Sequence, residues 1–138
     1  MKTTLLLLMI ALSLSGAEVS DDAKPKTESV AKVLPGLRKF FAKTARRDGS
    51  FANGLDRDYR GMSDSAYSDL AAVTYAVTLS KTFGWKLPYE EATKRFLLSR
   101  QRPNGDFFNV AGTVDPKSAE GRVYNTTQGI VALHATFC

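Results

Sequence analysis

The chain has 138 residues, enough for one domain, and its 24% charged and 43% hydrophobic residues are ordinary for a globular protein. The formal charge of +5 is scattered over predicted helix ends (Arg38, Lys39, Lys43, Arg46, Arg47, then Lys94, Arg95, Arg100, Arg102). Charge gathered on one face among aromatics would suggest nucleic acid; this distribution argues against such a partner. A single cysteine, Cys138, excludes an internal disulfide framework.

Residues 1–17 read as a secretory signal peptide: Lys2 supplies the positive start, Leu5 to Leu14 the apolar core, and Ser15, Gly16 and Ala17 the small-residue cleavage site. The apolar run falls short of the about 20 residues that a permanent membrane anchor needs. No cysteine follows it, which argues against a lipoprotein. Export, secreted or periplasmic, is the expectation. Residues 18–28 are polar, contain Pro25 and read as a flexible leader.

Residues 29–47 are predicted to form a first outer helix, with an apolar stripe of Val33, Leu37, Phe40, Phe41 and Ala45 and a weak point at Pro35-Gly36. Asp48-Gly49-Ser50 turns the chain, and residues 55–65 make a charged loop. A first inner helix lies within 64–83, with Ser65, Ser68 or Asp69 as candidate N-cap and Gly84 as its stop. It is apolar nearly all round, so burial on every side is expected. Pro88 opens a second outer helix over 89–102. A long loop over 108–123 then leads to a second inner helix, capped by Asn125 or Thr126 and running to the end of the chain.

Two stretches in this order match without a gap. Phe40-Phe-Ala-Lys-Thr-Ala-Arg-Arg-Asp-Gly-Ser-Phe51 aligns with Phe96-Leu-Leu-Ser-Arg-Gln-Arg-Pro-Asn-Gly-Asp-Phe107, pairing Gly49 with Gly105 and Phe51 with Phe107, 56 residues apart. Downstream, Tyr67-Ser-Asp-Leu-Ala-Ala-Val aligns with Tyr124-Asn-Thr-Thr-Gln-Gly-Ile, 57 residues apart. Two copies at one period indicate units that bury their apolar faces on each other.

The motif of Phe96, Gln101, Gly105 and Phe107 resembles the QW-type repeat of terpenoid cyclases, with Phe107 where tryptophan is usual. The Arg46-Arg47-Asp48-Gly49-Ser50-Phe51 corner resembles the repeat of protein prenyltransferase β subunits. The resemblance implies an all-α fold, an α/α toroid with inner and outer helices, over residues 29–138. Four predicted helices leave such a ring incomplete, so a truncated family member is expected. A hydrophobic ligand or a partner chain would then cover the open inner-helix face.

The family's chemistry is not spelled out in this chain. Asp56-Arg57-Asp58 is followed by Tyr59 and Arg60 and so departs from the acid motif of the cyclases. His134 and Cys138 share a helical face, but a catalytic zinc site wants three protein ligands and no third stands at useful spacing. No catalytic residue, cofactor or metal is therefore assigned, and zinc enters by family analogy alone. Asn125-Thr126-Thr127 fits a glycosylation sequon, but helix capping accounts for it better. Asp69 and Gln128, near the inner-helix starts, could face a cavity mouth, but as polar positions they are expected to face solvent.

Tyr67, Tyr75, Tyr124 and Phe107 are the candidate lining of a hydrophobic pocket, and Phe108 and Phe137 are weaker members; core packing competes as the reading of all six. Three functional readings follow: an exported toroid repeat protein without a complete active site; a non-catalytic module binding a hydrophobic ligand or a partner protein; and a subunit of a zinc-dependent prenyltransferase completed by other sequence.

Overall fold

The computed structural model describes residues 29–56, 58, 59 and 62–137. The stretches read as a signal peptide and a leader, together with Arg57, Arg60 and Cys138, lie outside the described residues. Among those described the protein is all-α: α1 (Val30–Thr44), α2 (Asp64–Tyr67), α3 (Asp69–Phe83), α4 (Glu90–Ser99) and α5 (Ala119–Phe137). The only extended pairing among them is two isolated antiparallel bridges, Ala45 with Phe51 and Gln101 with Phe107.

Those bridges close the two repeated corners, which are built bond for bond alike. In the first, Arg46 N–H donates to Ser50 O at 2.9 Å, Gly49 N–H to Arg46 O at 3.0 Å and Ala52 N–H to Thr44 O at 2.8 Å. In the second, Arg102 N–H donates to Asp106 O at 2.8 Å, Gly105 N–H to Arg102 O at 2.9 Å and Phe108 N–H to Arg100 O at 3.1 Å. Gly49 and Gly105 hold φ of 90° and 89°, a region closed to most side chains. Asp48 Oδ1 accepts from Ser50 N–H at 3.0 Å, and Asn104 Oδ1 accepts from Asp106 N–H at 3.4 Å. Each corner drives its phenylalanine, Phe51 or Phe107, into the core.

α1 runs unbroken through Pro35, whose ring sits within its second turn. Extended backbone at Ser68 interrupts the helix expected within 64–83 and separates α2 from α3. Ser68 Oγ accepts from Leu70 N–H at 3.2 Å and caps α3. Gly84, at φ 69°, ends α3. Burial of α3 is one-sided toward its end: Leu70 to Thr74, Ala76 and Val77 are buried, while Tyr75, Lys81, Thr82 and Phe83 are exposed.

The largest departure from expectation is α5. It begins at Ala119, within the stretch expected to be loop, and Ser118 Oγ accepts from Gly121 N–H at 2.9 Å in the capping role expected of Asn125 or Thr126. Gly121 does not interrupt the helix. It is buried where a Cβ would overlap the Asp115 carbonyl, so close approach explains the glycine.

α3 and α5 pack side by side, and residues matched in the alignment touch each other. The Tyr67 and Tyr124 rings meet edge to face, centroids 4.9 Å apart. Ser68 Oγ donates to Asn125 Oδ1 at 2.7 Å, Asn125 Nδ2 donates to Asn109 Oδ1 at 2.7 Å, and Asn109 Nδ2 donates to Val114 O at 3.1 Å. All three polar side chains are buried, so this satisfied chain of bonds sets the pairing of the helices. Thr74 Oγ1 adds a bond to Gln128 O at 3.0 Å. The core beneath joins Phe41, Phe51, Leu70, Val73, Val77, Phe96, Leu97, Phe107 and Ala132.

Candidate binding surfaces

One end of the α3–α5 pair gathers three of the four candidate pocket residues. Tyr67, Tyr75 and Tyr124 come together there with Asp64 of α2 and Glu120 of α5. Tyr75 Oη donates to Asp64 Oδ2 at 2.5 Å, and Tyr67 Oη donates to the Glu120 carboxylate. The accepting Asp64 carboxylate, aided by partial burial, pushes the Tyr75 phenol up to about 12. Glu120 raises Tyr67 in the same way. Tyr124 is raised by burial first, then by the nearby Asp64 and Tyr67. Its hydroxyl is covered and finds no hydrogen-bond partner among the described residues.

Phe107 is not part of this group. It lies fully buried under α5, its ring against Gly129 where any Cβ would overlap it. The sequence does not single out Asp64 or Glu120, because only the tertiary approach of α2 and the early start of α5 bring them to the tyrosines.

The remaining candidates are dispersed. Asp56 Oδ1 accepts from Asp58 N–H at 2.9 Å on an exposed loop. His134 is exposed on α5, and among the described residues no group of three or more His, Cys, Asp or Glu is placed to hold a metal. Asn125, expected to cap a helix, is instead inside one and fully buried, so the sequon is inaccessible in the folded chain. Asp69, expected to face solvent, is mostly buried and pairs with Arg100 at 3.4 Å. Burial raises its carboxyl, against the opposing pull of Arg100. Gln128 is half-buried, and its side-chain carbonyl has no partner among the described residues. Phe108 packs beneath the Arg102 guanidinium, 5.0 Å from ring centre to charge, and Phe137 is exposed.

A second surface follows the outer face of α5, along Val123, Thr127, Ile130, His134 and Phe137. Residues spaced by three and four share one side of a helix. Val123 is 69% exposed, Ile130 56% and Phe137 58%. The aligned positions of the first repeat, 57 residues earlier, are Ala66, Leu70, Val73, Val77 and Ser80, of which the first four are buried. At its upper end the face continues into a groove formed by Asp106, Arg122 and Thr126, where Asp106 is bracketed by Arg102 at 3.3 Å and Arg122 at 3.2 Å.

No helix among the described residues is long and apolar enough to cross a membrane. Compared with protein-family models, curated proteins and solved structures, the chain matches none.

Proposed function

We propose that the chain is an exported repeat module of the prenyltransferase and terpenoid cyclase kind: an incomplete α/α toroid that works by association and carries no complete active site of its own. The observation behind this reading is the outer stripe of α5. It is the positional copy of a stripe whose first four members, Ala66 of α2 and Leu70, Val73 and Val77 of α3, are buried, yet it leaves Val123, Ile130 and Phe137 open. An exposed apolar face of this kind marks a surface built to be covered. Its mixed composition, with Thr127 and His134 between the apolar residues, lets the free chain keep it in water.

A fluorescently labelled helical peptide with the sequence of residues 88–101, the outer helix of the second repeat, tests the reading. Saturable binding that Ile130→Asp abolishes is the expected result. No binding, or binding indifferent to Ile130→Asp, would refute the association reading.

The tyrosine end supports a second reading, a ligand site, because the covered Tyr124 hydroxyl lacks a partner among the described residues. Asp64 and Glu120 make that end electronegative, and the tyrosine faces add to this. An uncharged or cationic hydrophobic ligand suits it better than a prenyl diphosphate. Calorimetric titration with farnesol and with farnesyl diphosphate should therefore show heat for the alcohol alone, lost in Tyr124→Ala.

A further inference from the structure

We infer that the open face of α5 takes α1 of a second copy of this chain, so that copies join head to tail. The inference rests on the association reading above and names its partner.

The internal junction between the two repeats supplies the template. There, the first glycine corner lies against the backbone of α4 so closely that a Cβ on Gly49 would overlap the Ala92 carbonyl and the Thr93 amide. The aligned glycine of the second corner, Gly105, has open space beside it. The residue of α1 aligned with Ala92 is Gly36, which is exposed with nothing near it. Thus each side of the junction has an uncovered counterpart elsewhere on the molecule.

Burial follows the same pattern at each aligned position. On α4, Thr93 and Phe96 are buried, while their counterparts on α1, Leu37 and Phe40, are only half-buried. On α3, Leu70, Val73 and Val77 are buried, while Thr127, Ile130 and His134 on α5 are exposed. The α4 side that meets the Gly49 corner is better covered than the same positions of α1, and the stripe that is buried on α3 has an exposed copy on α5. Two surfaces that are each a copy of one side of an existing junction are complementary to each other. The contact uses different patches on the two partners, so it is heterologous and propagates into rings or chains rather than stopping at a symmetric pair.

The test is light scattering on the full chain over a wide concentration range, with Leu37→Lys and Ile130→Asp as one-sided blocks. Thr93, the junction counterpart of Leu37, is 1% exposed, so a lysine there would bury an unpaired charge in the assembly. Circular dichroism checks that both variants keep their helices. The wild type should grow beyond the mass of one chain, and each variant alone should stay at one. Mixed in equal amounts, the variants should form a species of two chains and no larger, because the intact α5 face of one meets the intact α1 of the other.

A wild type that stays monomeric throughout overturns the inference. If the residue 88–101 peptide still binds, the association reading survives with another occupant, such as a further repeat or a different protein. If Leu37→Lys assembles like the wild type while Ile130→Asp does not, the face pairs with itself and the head-to-tail arrangement is wrong.

Discussion

Gly49 and Gly105 share a sequence context, a φ near 90° and a hydrogen-bond pattern, but not their surroundings. An alanine at either pays for left-handed backbone, about 1–2 kcal/mol. At Gly49 it also collides with the backbone of α4, which cannot yield. Gly105→Ala should therefore lower stability by about 1 kcal/mol, and Gly49→Ala by more than about 3 kcal/mol, in urea titrations of the two variants. Equal losses would mean that the first corner does not touch α4. Asn125 makes a second test at this scale. Truncating it to alanine strands Ser68 Oγ and Asn109 Oδ1 in the core, at an expected cost of about 2–3 kcal/mol.

The tyrosine end has a pH signature as well. The Tyr75 phenol is moved from 10.0 to about 12, so the folded chain holds this proton more firmly than the unfolded chain does. Its contribution to stability is present in full below pH 10 and is lost as pH rises through about 12. Tyr75→Phe should flatten the alkaline fall in stability and remove one late-ionising phenol from an absorbance titration.

At the scale of elements, α5 is unusual in what it buries. Its buried positions are Gly121, Asn125, Gly129 and Ala132, small or polar residues that let neighbours come close, while Val123, Ile130, Val131 and Phe137 are exposed. Gly129→Ala would push a methyl group into the Phe107 ring, and an overpacking cost of about 1–3 kcal/mol is expected by thermal or urea unfolding.

The same feature explains where the sequence was readable. The two corners were legible because a glycine at positive φ, a preceding Asp or Asn and a following phenylalanine leave a mark that survives alignment. α3 was legible because its buried residues, Thr74 apart, are the apolar ones. α5 was harder, since hydrophobicity marks the face it exposes rather than the face it buries, and Gly121 reads as a loop residue. The three tyrosines stood out as aromatics near the inner-helix starts. Asp64 and Glu120 did not, since nothing local distinguishes a carboxylate that will accept from a distant phenol. Phe107 takes the competing reading, core packing: the corner that made it conspicuous also sends it into the core.

For the whole molecule, the proposed two-repeat reading makes stability a sum of units and the junction between them. Head-to-tail joining adds a further junction for each neighbour, and it binds only the folded chain. The midpoint of thermal unfolding should therefore climb with protein concentration, and Ile130→Asp should make it constant. A concentration-independent midpoint for the wild type would speak against assembly at these faces.

The nestling of the Gly49 corner on α4 also dictates the length of the connector between α3 and α4. Were a residue added or deleted among Trp85, Lys86, Leu87 and Pro88 and the change carried into α4, the face of α4 on the corner would turn by about 100° and shift by about 1.5 Å, the step of one helical residue. The carbonyl of Ala92 would swing away and a side chain would arrive where only hydrogen fits. A tag or cleavage site placed in this connector should wreck the protein, whereas the same insertion beside Leu55 or Met62, both exposed, should be harmless.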